Sequence, residues 1–151
     1  DKIREAREIF DSEKFEIISM KDAGIESDPE ENGDTFEANA EIKARDVWNK
    51  CGGYVMADDS GLEIDEMPGE LGVKSARFMG HDTSYSIKNA AILQRLSGIP
   101  FEKRTARFVC TIALIDPSGA VLFTDGKMEG YIANEIQGEN GFGYDPIFYL
   151  K

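Results

Sequence analysis

Two long strand-like segments joined by a four-residue turn constrain the fold of this chain more than any other feature. Residues 105–116 are rich in β-branched side chains, and residues 120–133 follow after the turn sequence Asp-Pro-Ser-Gly. Apolar segments separated by Pro and Gly in this way predict the two antiparallel strands of a β-hairpin. We therefore expect the fold to be built around a sheet that contains this hairpin.

Helical patterns surround the hairpin in the sequence. The clearest helix covers residues 35–51, where apolar side chains form one stripe; Asp34 or Thr35 can cap its start, and Gly52 ends it. Shorter elements are predicted as helices at 2–10 and 83–97 and as strands at 15–20, 54–57 and 147–150. Because helices and strands alternate without a linker or a repeat, we expect a single α/β domain over residues 1–151.

Two charged side chains lie on the apolar stripe of the 35–51 helix. At about 100° per residue, Lys43 falls on the edge of the stripe and Glu37 falls inside it. Both are therefore expected to point toward whatever the helix covers. The alternative is that these long side chains extend outward to water.

Charge and composition limit the classes of partner and of site. A formal net charge of -12 argues against duplex nucleic acid, because phosphate binding there needs a basic face. No apolar run reaches the ~20 residues of a membrane span, and no secretory leader is visible. Cys51 and Cys110 are expected to be reduced core thiols, and one histidine, His81, is too few for a His-rich zinc site. We therefore expect a cytoplasmic protein without a nucleic-acid or membrane partner.

Adjacent carboxylates follow the apolar run 54–57. Asp58 and Asp59 would repel each other unless a cation or a proton lies between them, so this is either an exposed turn or a site for something positive. If the strand ends at this point, both carboxylates lie at a sheet edge where ligands commonly bind. Asp59 together with a glutamate from the acidic group at 26–34 would suit magnesium, and a carboxylate there could accept a proton from water.

A glycine-rich segment, 138–146, places Phe142 and Tyr144 on a predicted loop. Aromatic rings on a loop can stack on a nucleobase, and Asp145 or nearby backbone groups can bind the base edge. The alternative is that both rings pack into the core.

Four motifs occur in a fixed order along the chain: "GDTFEANAEIKAR" (33–45), "ADDSGLEID" (57–65), "PGELGVKSARF" (68–78) and "GFGYDPIF" (141–148). No single motif is specific, but their combination closely resembles the inosine triphosphate pyrophosphatase family, the non-canonical purine nucleoside triphosphate pyrophosphatases. The resemblance covers essentially the whole chain.

The resemblance implies both an activity and a fold. Members of that family hydrolyse ITP, dITP and XTP to the monophosphate and pyrophosphate, which removes deaminated purines from the nucleotide pool. They need a divalent metal, usually Mg²⁺, although Mn²⁺ is another candidate. Their fold is an elongated, two-lobed α/β structure with a long curved mixed sheet, and the substrate lies in the cleft between the lobes. Many members are homodimers.

Roles for the carboxylates follow from the same resemblance. Asp59 is similar to the family's general base, which is also a metal-linked carboxylate, and Glu31 is similar to the other metal-side acid. Glu30, one position earlier, is the alternative for that second role. Asp58 is expected to support the site, as is Glu37 from its place on the helix.

Substrate contacts are carried over in the same way. Lys43 is similar to the family lysine that faces the phosphates, and Lys2 matches the lysine that ends a loop wrapped around the triphosphate. Ser60 is similar to a substrate contact made through the hydroxyl or the backbone. The base-binding loop of the family corresponds to Phe142, Gly143, Tyr144 and Asp145.

The chain departs from the family pattern at both ends. Members usually have a first strand, a Thr-Gly-Asn-x-x-Lys loop and a Ser-His-Arg stretch well past the "GFGYDPIF" motif, and of these the 151 residues contain only Lys2. We therefore expect the natural chain to be longer. A naturally short chain would instead favour a non-catalytic nucleotide-binding or dimerisation module. A related alternative keeps the phosphate chemistry but acts on a canonical or otherwise modified nucleotide.

Overall fold

The structure is a computed structural model that describes residues 2–10, 13–138 and 142–151. Its centre is a four-stranded sheet in the order β1-β2-β3-β4. The strands are β1 (Val55–Ile64), β2 (Thr105–Ile115), β3 (Val121–Ile132) and β4 (Phe148–Leu150). The predicted hairpin is confirmed as β2 and β3, and the turn between them is closed by a hydrogen bond from Gly119 N to Asp116 O (2.9 Å).

Among the described residues, three α-helices and three short 3₁₀ helices accompany the sheet. The α-helices are α1 (Lys2–Ile9), α2 (Phe36–Cys51) and α3 (Tyr85–Arg95). The 3₁₀ helices are Gly72–Arg77, Phe101–Lys103 and Asp145–Ile147. No helix in the described part of the chain is both long enough and apolar enough to cross a membrane.

The start and end of α2 have a clear local cause. Thr35 is the N-cap, since its hydroxyl oxygen accepts a hydrogen bond from Ala38 N (3.1 Å). Gly52 follows the helix at a φ of 64°, a left-handed conformation that favours glycine, and its N–H donates to Trp48 O. Of the two cap candidates, Thr35 rather than Asp34 therefore holds the position.

Two hydrophobic cores lie on opposite faces of the sheet, because successive side chains of a strand alternate between faces. Odd-numbered residues of β1 and β2 pack against α2 in the first core, which contains Ala40, Ala44, Val47, Val55, Ala113 and Ile115. Even-numbered strand residues form the second core with α3 and the connecting segments, including Leu62, Ile64, Ala106, Ile132, Ile92, Leu96 and Ile147. Thus α2 covers one face at one end of β1, and α3 lies toward the opposite face at the other end.

Several predicted elements differ from the structure. The predicted strand at 15–20 is irregular: Phe15 and Ile18 are about half exposed, and Phe15 packs edge-on against Phe10 (6.0 Å between ring centroids). The predicted helix 83–97 is shorter, and Ser84 rather than Thr83 precedes it; the Thr83 hydroxyl instead donates to Met79 O (2.7 Å). In these segments tertiary contacts outweigh local preference.

Two further predictions, one about the sheet and one about the cysteines, differ from the structure. Every strand pairing among the described residues is antiparallel, so the mixed pairing that the family resemblance implies is absent from this part of the chain. Both cysteines are free thiols, as predicted, but Cys51 is exposed because it is the last residue of α2. Cys110 is half-buried in the middle of β2.

Candidate active site

Asp58 and Asp59 lie in the middle of β1, and not beyond its end as predicted. They pair with Ile112 and Thr111 of β2, respectively. Because consecutive strand residues face opposite sides of a sheet, the two carboxylates point away from each other. The strand itself therefore relieves the repulsion that adjacent aspartates would otherwise suffer.

On the α2 side of the sheet, three of the predicted site residues meet. Asp59 is buried, and its Oδ1 accepts a hydrogen bond from Lys43 Nζ at 2.8 Å. The same Nζ lies 3.4 Å from Glu31 Oε2. The helical position of Lys43 does direct its side chain inward, where its ammonium group lies between two carboxylates.

These carboxylates form a donor set suited to a hard cation. Asp59 Oδ1 and Glu31 Oε2 already converge on one positive group, and Asp59 Oδ2 is buried with no hydrogen-bond partner among the described residues. Within residues 2–10, 13–138 and 142–151, no group of three or more His, Cys, Asp and Glu side chains could hold a metal ion by itself. Two carboxylates nevertheless fit Mg²⁺, which usually completes its octahedral coordination with water and phosphate oxygens.

The other glutamates that were considered lie elsewhere. Glu30 is exposed, and Glu31 is the residue that reaches Lys43, so the structure favours Glu31 over its neighbour. Glu37 is also exposed, contrary to its predicted inward position, because the buried face of α2 points away from it. That face carries Phe36, Asn39, Ala40, Ala44 and Val47. With Thr35 as the N-cap, Glu37 is not at the third helical position that a capping box requires.

Asn39 is a residue of this site that sequence reasoning missed. Its side chain is fully buried on α2, one helical turn before Lys43, and its Oδ1 accepts a hydrogen bond from Gly33 N (2.8 Å). A Cβ atom on Gly33 would lie 2.7 Å from Asn39 Oδ1, so only glycine allows this approach. The contact holds the acidic segment near α2, two residues after Glu31. The available signal was a polar residue on the apolar stripe of a helix.

A second polar group lies on the opposite face of β1. Lys2 of α1 forms an ion pair with Asp58 Oδ2, and the Ser60 hydroxyl donates to the same oxygen (3.0 Å). Cys110 Sγ is 4.0 Å away. The structure therefore divides the predicted residues between two faces: Asp58, Ser60 and Lys2 form one group, and Asp59 belongs to the other.

Next to the group of Glu31, Lys43 and Asp59 there is a cleft of about 1040 Å³ between the segments 31–37 and 67–79. Both signs of charge line it. The cations among the lining residues are Lys74, Arg77 and Arg107, and the carboxylates are Glu31, Asp34, Glu37, Glu63, Asp65 and Glu70.

Arg107 organises one wall of this cleft through Asp65, Glu63 and Glu129. It lies 2.9 Å from Asp65 Oδ1, 3.5 Å from Glu63 Oε2 and 3.1 Å from Glu129 Oε1. Hydrogen bonds from Arg107, and then from Thr105, hold the pKa of Asp65 below its usual value. The sequence analysis did not single out Arg107.

The predicted base-binding loop contains one exposed ring and one buried ring. Phe142 is 81% exposed, whereas Tyr144 is 5% exposed and donates its hydroxyl proton to Ser75 O (2.6 Å). Burial raises the pKa of Tyr144, so the hydroxyl remains a donor. Core packing, the alternative to base stacking, is therefore correct for Tyr144 and wrong for Phe142.

The rest of the loop is held by local hydrogen bonds. Gly143 has a φ of 60°, and its carbonyl oxygen accepts from Asn89 Nδ2 (3.0 Å). Asp145 Oδ2 accepts from Phe142 N (3.1 Å), so this carboxylate is partly engaged within the loop. Residues 139–141, including the first glycine of the "GFGYDPIF" motif, lie outside the described residues.

Comparisons with known proteins give the family of this chain. The model of the Ham1 family matches residues 1–151. A dITP/XTP pyrophosphatase of Thermoanaerobacter sp. (strain X514) is 46% identical over 149 residues, which cover 99% of this chain and 75% of that protein. A dITP/XTP pyrophosphatase of Bacillus subtilis (strain 168) is 43% identical over 150 residues, with 99% and 76% covered.

Solved structures are similar over the same extent. The Ham1 protein of Staphylococcus aureus has a TM-score of 0.86 at 38% identity, with 99% of this chain and 76% of that chain covered. A HAM1 protein from Coxiella burnetii has a TM-score of 0.87 at 38% identity, again with 99% and 76% covered.

Proposed function

This chain belongs to the Ham1 family, and from that membership we propose that it is a nucleoside triphosphate pyrophosphatase. Its substrates are non-canonical purine nucleotides (ITP, dITP and XTP), which it converts to the monophosphate and pyrophosphate. The observation that carries the proposal is the contact of Glu31, Lys43 and Asp59 beside an open cleft. Relatives named dITP/XTP pyrophosphatase, more than 40% identical over nearly the whole chain, support the choice of substrate.

A divalent cation, Mg²⁺ in the first place and Mn²⁺ as a substitute, is part of the proposal. Glu31 and Asp59 would hold it, because their oxygens converge on a single positive group in the structure. The ion would supply charge neutralisation for the triphosphate. A chain with a net charge of -12 needs such neutralisation in order to bind a polyanion.

Asp59 is the general base in this mechanism. A carboxylate can accept a proton from water, and the Oδ2 of Asp59 has no hydrogen-bond partner among the described residues. The water oxygen then attacks the α-phosphorus. The bond from this phosphorus to the oxygen that bridges to the β-phosphorus breaks, and pyrophosphate leaves with the electron pair.

Lys43 carries the positive charge closest to this base. Its Nζ is 2.8 Å from Asp59 Oδ1, and its side chain is one-quarter exposed, so it can also reach a ligand in the adjoining space. An ammonium group there offsets the charge that develops on the phosphate oxygens. Lys2 and Ser60 are further substrate contacts in this proposal. They lie on the other face of β1, where both contact Asp58.

Phe142 is the base-stacking residue in this proposal. Its ring is exposed, and it lies 6.0 Å from the ring of Tyr85, so it presents an open aromatic surface. Stacking is tolerant of base identity, so discrimination between purines has to come from groups that read the base edge. Asp145 and the backbone of Gly143 are the nearest candidates on the loop.

We extend the proposal to the assembly and its location: a cytoplasmic homodimer. Exposed apolar side chains on one face of β3, Leu122 and Met128, support an interface between copies. Light scattering coupled to size-exclusion chromatography should give the mass of two chains.

Hydrolysis of ITP in H₂¹⁸O, with Mg²⁺ present, tests the reaction directly. Attack at the α-phosphorus places the heavy oxygen in IMP, and mass spectrometry of the products locates it. Label in orthophosphate, with IDP as the second product, would rule the proposed activity out.

The same protein preparation distinguishes the proposed enzyme from the non-catalytic binding module. A binding module would gain thermal stability from ITP without forming product. The presence of both Asp59 and Lys43 favours catalysis, because binding alone needs no group that activates water.

A further inference from the structure

The 3₁₀ helix Gly72–Arg77 is attached to the catalytic strand through one hydroxyl group. Ser75 is buried, and its Oγ accepts a hydrogen bond from Leu62 N at 2.9 Å. The same oxygen lies 2.6 Å from Gly72 O and 3.1 Å from Leu62 O, either of which can take its proton. Leu62 is three residues after Asp59 on β1, so the hydroxyl is bonded to the strand that carries the proposed base.

The absence of a side chain at Gly61 allows this close contact. A Cβ atom there would lie 2.2 Å from Gly72 O and 2.9 Å from Ser75 Oγ. No larger residue fits without moving the 3₁₀ helix away from β1. The strand and this helix therefore behave as one rigid unit next to the cleft.

Two other side chains hold the same helix from its far side. The hydroxyl of Tyr144 donates to Ser75 O (2.6 Å), and Lys88 Nζ donates to Ala76 O (2.6 Å). All of these side chains are buried: Tyr144 is 5% exposed, and Lys88 is 1% exposed. A phenolic hydroxyl buried at this depth needs an acceptor, and the main chain at Ser75 provides it.

Tyr144 belongs to the loop that carries the exposed Phe142 ring. Tyr85 of α3 contacts both rings, at 5.1 Å from Tyr144 and 6.0 Å from Phe142. The loop is thus joined to β1 by a short path, which runs from Tyr144 through Ser75 to Leu62.

We infer that Ser75 and Tyr144 are positioning residues that fix the 142–145 loop relative to the strand of Asp59, and that this placement sets the discrimination between purine bases. The inference rests on the proposed function. Neither residue has to touch the nucleotide. Base recognition depends on the position of the loop relative to the phosphate-binding end of the site. A small displacement of the loop therefore weakens binding of the preferred base more than binding of a base that the site already rejects.

The substitution Tyr144→Phe tests this most cleanly, because it removes one hydrogen bond and leaves the buried ring in place. The measurement is kcat/KM for ITP and for ATP, each with Mg²⁺. We expect the ITP-to-ATP ratio to fall by about 5-fold, the factor that corresponds to one lost hydrogen bond. A purely structural defect would reduce the amount of folded enzyme, which lowers both values together and leaves their ratio unchanged.

Tyr149→Phe is the matched control. Its hydroxyl donates to Gln137 Oε1 at an exposed place on β4, away from Ser75. The ITP-to-ATP ratio should be unaltered in this variant. If the wild-type protein prefers ITP and Tyr144→Phe leaves the ITP-to-ATP ratio unchanged, the inference is overturned and the proposed function stands. A wild-type protein that hydrolyses neither nucleotide would overturn the proposed function and the inference with it.

Discussion

At the scale of single residues, the site depends on one ammonium group placed between two carboxylates. Lys43 contacts Asp59 and Glu31 on the α2 side of β1, while Asp58 faces the other side and pairs with Lys2. Neighbours in sequence thus acquire different surroundings. Asp59 is buried, and one of its oxygens has no partner in the part of the chain that the structure describes, whereas Asp58 is half-exposed and has partners of its own.

Replacing Asp59 by Asn should remove the base while keeping the shape of the side chain. We expect kcat for ITP to fall by about 10³-fold, in the range found for general-base residues. Glu31 and Lys43 remain in this variant, so ITP binding should persist at raised Mg²⁺ concentration, as measured by the ITP-dependent rise in Tm. Asp58→Asn is the comparison, and its loss should be clearly smaller; equal losses in the two variants would contradict the assignment of the base.

The choice between two adjacent glutamates can be tested in the same way. Glu31→Gln should raise the Mg²⁺ concentration needed for half-maximal activity, since it removes one of two converging carboxylates. Glu30→Gln should behave as wild type, because Glu30 is exposed and Glu31 makes the contact. A metal titration of both variants provides the measurement. The reverse pattern would assign the metal-binding role to Glu30 in place of Glu31.

The positions of the candidate site residues were predictable where helical spacing or the family resemblance indicated them. The helical period directed Lys43 inward, and the motif pointed to Glu31 and Asp59. Asn39 was missed, because a single sequence does not show which buried polar residue has a backbone partner across a loop. The burial of Tyr144 was equally hidden, since a glycine-rich segment is typical of an exposed loop.

At the scale of elements, the site is the place where the middle of β1 passes under α2. The sequence predicted α2 well, because it has a cap residue, an apolar stripe and a terminal glycine. It did not predict that β1 continues to Ile64, since Asp, Ser and Gly at 58–61 are typical of turns. Pairing along the whole of β2 and burial of Leu62 outweigh that local preference.

Substitutions at two strand glycines test how closely β1 and the 3₁₀ helix Gly72–Arg77 must approach each other. Gly61→Ala should lower the free energy of unfolding by about 1–3 kcal/mol, because its Cβ would clash with Gly72 O. Gly126→Ala on β3 should be neutral or slightly stabilising, since a Cβ atom there meets nothing within 4 Å. Urea denaturation of both variants gives the comparison. Equal stabilities would show that the 3₁₀ helix can shift without cost.

At the scale of the whole molecule, an acidic chain presents a cleft with both signs of charge. The net charge is -12, yet Lys74, Arg77 and Arg107 line this cleft. Carboxylates outnumber these cations in the lining of the cleft, so a polyanion bound there would also need the counter-charge of a divalent cation.

The ion pair between Asp65 and Arg107 should make stability depend on pH. The folded-state pKa of Asp65 lies below its ordinary value of 3.8, chiefly through Arg107. Its contribution is therefore complete above that value and is lost as the pH falls through the lowered pKa. Urea unfolding should show wild type more stable than Asp65→Asn at about pH 7 and the difference shrinking at about pH 3. A difference independent of pH would contradict the ion pair.

The most direct test of the central claim is pyrophosphate release from ITP and from ATP, first with Mg²⁺ and then with excess EDTA. We expect pyrophosphate release from ITP that requires the metal, with ATP cleaved far more slowly under the same conditions. Release that persists in EDTA would contradict the metal site of Glu31 and Asp59. Equal release from ATP and ITP would contradict selective removal of non-canonical purines.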